Sequence, residues 1–249
     1  MMPDLPLTDI RVLDLTTTIY GPYTTQMLGD FGADVIKIET PSGDPVRDVG
    51  PNKSTKMGAL FLGVNRNKRS VVLDLKREMH CDALWSLIQT ADIFVHNMRP
   101  SKAVGLGFSP QKVIQRNPRM IYVGLHGYGE SGPYKDRPAY DDVIQGEAGT
   151  TSLFAERDGE PKLIPSLVVD KGAACLAVNG VLAALIKRQR TGKGGYVEVP
   201  MYEAMVSFNF IEHQYGAIFD PPISGYGYPR MLSPFRRPHK TSDGHLCFL

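Results

Sequence analysis

Ile10-Arg11-Val12-Leu13-Asp14-Leu15, then Gly21-Pro22, then Asp34-Val35-Ile36-Lys37-Ile38-Glu39 is the stretch that decides the fold. Both apolar runs read as strands, being rich in β-branched residues and leucine. Between them, Gly21-Pro22 opens a helix with proline at its first position, where the missing N–H costs nothing. Gly32 ends that helix, because glycine reaches the left-handed backbone of a C-terminal stop. Strand, short helical crossover and strand make a βαβ unit, whose strands run parallel.

The pattern continues outward. Ser70-Val71-Val72-Leu73-Asp74-Leu75, Asp92-Ile93-Phe94-Val95-His96, Met120-Ile121-Tyr122-Val123-Gly124-Leu125 and Tyr196-Val197-Glu198-Val199 are predicted strands. Leu84, Leu87 and Ile88 carry helical spacing over 80–90, and helices are also predicted around 110–116 and over 201–215. Alternating strands and helices, with strands apolar on both faces, predict an α/β fold with a Rossmann-like, mostly parallel, doubly wound sheet. Residues 1–216 are assigned to this large domain. Residues 217–238, rich in proline and glycine, read as a linker, and 239–249 as the start of a smaller second domain.

Composition narrows the function. The 249 residues are 42% hydrophobic and 22% charged, an ordinary globular balance. A net charge of +2 gives no drive toward nucleic acid or membrane, so neither is expected as a partner. Cys81, Cys175 and Cys247 are widely spaced and imply no disulfide framework, so a reducing, cytoplasmic setting is expected. The six histidines lack ligand spacing and no metal site is expected; His126 reads as a satisfied core or loop histidine. Residues 1–6 do not read as a secretory signal. The alanine-rich run over 173–186 reads as a buried helix too short to span a bilayer. Residues 242–249 read as a turn feeding a strand that stops within an apolar run, so the chain is expected to be part of a longer protein.

Asp170 is the leading chemical candidate. It follows the apolar run Leu163-Ile164-Pro165-Ser166-Leu167-Val168-Val169, read as a strand or tight approach, and precedes an alanine-rich helix beginning at Lys171. At a helix N-terminus, first-turn N–H groups and the helix dipole hold a carboxylate ionised. In apolar surroundings such an anion loses water and can act as a nucleophile. Most aspartates at such positions only cap, so the residues alone leave both roles open.

Other motifs are weighed the same way. Gly127-Tyr128-Gly129-Glu130-Ser131-Gly132 matches a dinucleotide fingerprint, but Pro133-Tyr134-Lys135-Asp136-Arg137-Pro138 cannot open the required helix, so it reads as a glycine-rich turn. No phosphate-binding P-loop or G-x-S-x-G elbow occurs. Asn65-Arg66-Asn67-Lys68-Arg69 reads as a solvated basic loop, and the cations over 187–193 suit a helix C-terminus. Thr17-Thr18-Ile19-Tyr20, Lys76 and Asn97-Met98-Arg99-Pro100 follow three strands, and ligands of parallel sheets bind at the carboxyl ends of strands. These loops predict a cleft for a large ligand. Tyr140 is either a stacking or hydrogen-bonding group in a site or an ordinary half-buried tyrosine.

Together the pieces resemble the class III CoA-transferase family, the group of formyl-CoA transferases, carnitine CoA-transferases and α-methylacyl-CoA racemases. The resemblance rests on Val12-Leu13-Asp14-Leu15, Gly21-Pro22, Gly32 through Glu39, Gly43-Asp44-Pro45-Val46-Arg47, Asn65 through Ser70, Asn97 through Pro100, Gly127-Tyr128-Gly129 with Gly132-Pro133, and Thr191-Gly192-Lys193-Gly194. It implies a large Rossmann-like domain, a smaller second domain and an interlocked homodimer. It implies that Asp170 is the catalytic carboxylate, acylated by an acyl-CoA and then converted to an aspartyl-CoA thioester. Coenzyme A is then a substrate, with a carboxylic acid as second partner and no permanently bound cofactor. By the same resemblance CoA lies along Ile19, Tyr20, Leu73, Lys76, Asn97, Met98, Arg99 and Tyr140. Family racemases carry His-Asp where this chain has Tyr140-Asp141, and tyrosine is a weak base at neutral pH, so transferase is expected over racemase. A non-catalytic CoA-binding subunit is the other alternative. Departures from formyl-CoA transferase are Ile19 in place of glutamine, and Thr40 and Gly105 in place of nucleotide-contacting arginines; Lys102 or Arg99 is expected to compensate. That enzyme's glycine-rich loop over the catalytic aspartate has no recognisable counterpart.

Overall fold

The computed structural model describes residues 5–248. Residues 1–4 and 249, on which the readings of the first residues and of the final apolar run partly fall, lie outside the described residues. A six-stranded parallel sheet has the order β3-β2-β1-β4-β5-β6. Its strands are β1 (Arg11–Leu15), β2 (Asp34–Glu39), β3 (Lys68–Val72), β4 (Ile93–His96), β5 (Ile121–His126) and β6 (Gly195–Pro200). The connecting helices are α1 (Tyr20–Asp30), α2 (Ala59–Val64), α3 (Glu78–Thr90), α4 (Pro100–Gly105), α5 (Pro110–Arg116), α6 (Asp141–Glu147), α7 (Thr150–Asp158) and α8 (Val168–Thr191). The chain reverses its direction of growth between β1 and β4, the place where a parallel sheet opens a ligand crevice.

Burial explains the order. Every residue of the interior strands β4 and β5 is buried, as their largely apolar runs require. Edge strand β3 is polar and mostly exposed. Phe94 stacks on Tyr122 at 5.1 Å between ring centroids and on Phe108 at 6.3 Å, and Trp85 stacks on Phe108. The Tyr122 hydroxyl, buried in this cluster, donates to the Phe108 carbonyl at 2.8 Å. Helix α1 ends as expected at Gly32, φ 102°: Gly32 N–H reaches Gly29 O and Ala33 N–H reaches Leu28 O, a Schellman pair.

The chain divides into two compact units, one of residues 1–138 and 170–201, the other of 139–169 and 202–249. The first carries the sheet. In the second, α9 (Met201–His213) places Asn209 so that its Nδ2 donates to Ala148 O and Thr150 Oγ1, both at 2.9 Å. The expected turn and strand near the end form a two-residue antiparallel ladder of β7 (His239–Lys240) and β8 (His245–Leu246).

Several local expectations are corrected. Leu163 through Val169 is not a strand: Leu163 and Leu167 are exposed, and α8 already begins at Val168. Asp170 is therefore the third helical residue, not the N-cap. Helix α1 starts at Tyr20, so Pro22 is also third rather than first. The third strand is Lys68–Val72, two residues earlier than read, because its outer face is polar. Helices α2, α4, α6 and α7 have no counterpart among the predicted elements, being short and without a clear apolar stripe. Helix α8 spans 24 residues, longer than the apolar run suggested, and by length and composition it could cross a membrane. Its face of Ala173, Ala174, Ala177, Val178, Val181 and Leu185 is nevertheless buried. Gly180 permits the close approach to β6, since a Cβ there would lie 3.1 Å from Val197 Cγ1.

Candidate functional site

A cleft of about 710 Å³ opens at the carboxyl ends of β1, β2, β3 and β4. Leu15 and Thr17 line it after β1; Ile38, Glu39, Thr40, Gly43 and Asp44 after β2; Leu73 through Lys76 after β3; Asn97, Met98, Arg99, Ser101, Lys102 and Leu106 after β4. Five of the eight residues that the resemblance sets along CoA thus line it: Leu73, Lys76, Asn97, Met98 and Arg99. Ile19 and Tyr20 are not among its lining residues but are buried at the start of α1, and Tyr140, 69% exposed, belongs to the second unit.

The acids of the cleft are neutralised from within. Glu39 takes a two-pronged bond from Arg47 at 2.6 and 2.7 Å, one from Ser70 Oγ and one from the Asp44 N–H. Burial opposes its charge, but these donors prevail and hold the carboxyl at about 2. Asp44 pairs with the buried Lys37 ammonium at 2.9 Å. Lys76, Arg99 and Lys102 are exposed and, among the described residues, have no ion-pair partner. The cleft therefore presents uncompensated positive charge beside an apolar floor.

Below it, a buried polar network locks the loop after β1. Asp14, fully buried, accepts from Lys68 Nζ at 2.9 Å, Thr25 Oγ1 at 2.6 Å, Thr16 Oγ1 at 2.5 Å and the Thr16 N–H. Burial works against that charge, yet Lys68, Lys37 and the two hydroxyls hold the Asp14 carboxyl at about 2. Burial pulls Lys68 down to about 8, still protonated at neutral pH. Lys37 Nζ also donates to Thr16 O at 2.8 Å. The amide of Asn97 clasps Thr17 from both sides, accepting from its N–H and donating to its carbonyl. Thr18 N–H bonds Asp44, which holds Thr18 at φ 73°, an unusual backbone for a β-branched residue. Within the basic cluster over 65–69, Arg66 and Arg69 are exposed and pair with Asp30 and Asp34, whereas Lys68 enters the core.

Asp170 lies at the same sheet edge by topology. Helix α8 precedes β6 and runs back along it, so its first turn overhangs the carboxyl end of that strand. Tyr20 is buried, and its hydroxyl donates to the Val199 carbonyl of β6 at 2.8 Å. Burial, and next the Asp170 charge, push the Tyr20 hydroxyl well above its ordinary range. Asp170 itself is half-buried in the first turn of α8. In the second unit, the buried Asp141 carboxylate accepts the Val169 N–H at 2.8 Å and the Gln145 amide at 2.6 Å. Asp141 thus caps the first turn of α8. The paired acids Asp141-Asp142 at a helix start were the signal that could have found it.

The chain matches CoA-transferase family III over residues 7–249. It belongs to that family. This member is 34% identical to the succinyl-CoA:mesaconate CoA-transferase of Haloarcula hispanica over 96% of its own length and 63% of the relative's. It is also 34% identical to the succinate–glutarate CoA-transferase of Agrobacterium fabrum, covering 97% and 62%. The crystal structure of a CAIB/BAIF family protein from Brucella suis superposes with a TM-score of 0.86 at 30% identity, covering 97% of this chain and 65% of that one. Rv3272 from Mycobacterium tuberculosis gives a TM-score of 0.77 at 38% identity, covering 83% and 58%. The chain spans from 52% to 63% of the length of three curated relatives that it matches.

In this family member, Thr40 lines the cleft and Gly105 does not, while Arg99 and Lys102 both do. The 127–132 segment is a chain of bends and turns, and no helix opens at Gly132, which fits a glycine-rich turn. His126 is buried, with Nε2 3.2 Å from both the Tyr196 hydroxyl and the Glu130 carboxylate. Burial lowers its basicity, partly restored by Glu130 and Glu198. A ring nitrogen of His126 and carboxylate oxygens of Glu130 and Glu198 lie within 4.8 Å of one another, and Glu130 N–H donates to Glu198 at 2.6 Å.

Proposed function

We propose that this protein moves CoA from an acyl-CoA donor to a carboxylic acid through an aspartyl-CoA thioester on Asp170. The carrying observation is the position of Asp170 in the first turn of α8, at the carboxyl edge of the sheet and within the electrostatic reach of buried Tyr20. The carboxylate attacks the thioester carbonyl and expels CoA thiolate, forming a mixed anhydride. The thiolate then attacks the aspartyl carbonyl, releasing the donor acid and leaving CoA on Asp170. The acceptor carboxylate attacks that thioester, and the freed thiolate attacks the acceptor carbonyl of the new anhydride, restoring Asp170 and giving the new acyl-CoA. A carboxylate is weak in water, so partial burial and the helix N-terminus favour this role.

The cleft supports a site for the CoA nucleotide, whose phosphates suit Lys76, Arg99 and Lys102, with Leu73 and Met98 as apolar contacts. The names of relatives favour succinyl-CoA as donor and a dicarboxylic acid as acceptor. Racemase chemistry is disfavoured by Tyr140, a weak base at neutral pH where family racemases carry histidine. An interlocked homodimer, a large domain through residue 216 and a cytoplasmic setting complete the proposal.

Two measurements test it. Incubation with succinyl-CoA and trapping with hydroxylamine should leave a hydroxamate on Asp170, read by peptide mass. An unmodified Asp170 peptide in a protein that still transfers CoA would sink the assignment. Lys76→Ala, Arg99→Ala and Lys102→Ala should each raise KM for acyl-CoA by about three- to tenfold with kcat nearly unchanged, because a remote handle supplies binding energy. Unchanged KM in all three would move the nucleotide elsewhere.

A further inference from the structure

We infer that the Tyr20 ring is a wall that keeps water from the Asp170 carboxylate, so that an acyl or thioester group formed there is transferred rather than hydrolysed. The inference rests on the reading of Asp170 as nucleophile. Tyr20 opens α1 just after β1, and its side chain is 4% exposed. Its hydroxyl reaches Val199 O on β6, although β4 and β5 lie between β1 and β6. The ring thus bridges the carboxyl edge of the sheet. Gly180 of α8 packs on Val197, so Asp170, ten residues earlier and about 15 Å along the helix, lies beyond Val199 at that same edge.

With its hydroxyl donated to a backbone carbonyl, Tyr20 is tied into the scaffold. What it offers Asp170 is an apolar, immobile surface. The chemistry needs one. Water attacking the aspartyl-CoA thioester adds its oxygen to the aspartyl carbonyl, expels CoA thiolate, which takes up a proton, and regenerates Asp170. No acyl-CoA is made in that event, and the donor's thioester is lost. Excluding water is a recognised means of protecting such intermediates. Tyr20 is on this view a positioning and shielding residue, not a group that touches the reacting atoms.

The test compares the full chain with Tyr20→Ala, Tyr20→Leu and Tyr20→Phe. Each is incubated with succinyl-CoA and mesaconate, and chromatography reads free CoA against mesaconyl-CoA. Tyr20→Ala should raise the ratio of hydrolysis to transfer by about tenfold, while Tyr20→Phe, which keeps the ring, stays within about twofold of the parent. Tyr20→Leu should fall between them and carries the comparison if the alanine variant does not fold. A general loss of structure would slow both products without changing their ratio. An unchanged ratio in both small variants, with the Asp170 adduct still trapped, would overturn the shield alone. A phenylalanine variant that hydrolyses as freely as the alanine one would also overturn it, since the tether rather than the ring would be the active part. No adduct on the parent protein's Asp170 would overturn the shield and the nucleophile together.

Discussion

Asp170→Asn is expected to lower kcat for CoA transfer by about a thousandfold or more while leaving the fold intact, because it removes the attacking oxygen and little else. Asparagine keeps the size of the side chain and tolerates a helix start. The lost interaction of a first-turn anion with the helix dipole should cost only about 0.3–1 kcal/mol. Activity and stability should therefore separate cleanly: transfer vanishes, and the thermal midpoint moves by a few degrees at most. Asp170→Glu tests geometry, since an added methylene displaces the carboxylate, and a displacement near 1 Å costs about a hundredfold. Parent-like rates in either variant, measured with the same donor and acceptor, would remove Asp170 from the mechanism.

The second large effect concerns stability. Lys68→Met should destabilise the protein by about 3–5 kcal/mol, because it leaves the Asp14 anion buried without its nearest cation. Replacing both partners by apolar residues of similar size should recover much of that loss. Urea unfolding of the single and double variants reads both. The same network sets an acid limit. Asp14 and Glu39 bind protons less readily when folded, at about 2 against ordinary values of 3.8 and 4.5. Their stabilisation is complete above those ordinary values and is lost as pH falls through the interval toward 2. A thermal midpoint flat from pH 7 to about 5 and falling steeply below pH 4 is the expected profile. In Lys68→Met the fall should begin at higher pH, since the cation that holds Asp14 ionised is gone. A parent profile indifferent to pH down to 2 would contradict the assignment.

Much of the site was legible because its residues sit where strands end. The loops at Thr17, Lys76 and Asn97 were placed together from the alternation of strands and helices alone, and the structure brings them to one cleft. The role of Asn97 within it was not legible, since its amide is committed to Thr17, 80 residues away in sequence. Nor was the fate of Lys68. Read among Asn65, Arg66, Asn67 and Arg69 it looks like part of a solvated turn, yet it reaches Asp14, 54 residues away. One clue was present: Asp14 and Lys37 both interrupt apolar strands, and in the sheet they are register partners.

The alternation and parallel direction of the strands, the helix stop at Gly32 and an acid at the start of a long apolar helix follow from the sequence itself. These depend on side-chain period and on backbone preferences of single residues, which are written among near neighbours. The tertiary structure alone decided that Asp141 caps α8, that Tyr20 ties α1 to β6, and that two lysines are buried rather than solvated. A polar side chain's fate is set by the partner that meets it after folding, because burying it is favourable only when a distant donor or acceptor arrives to replace water.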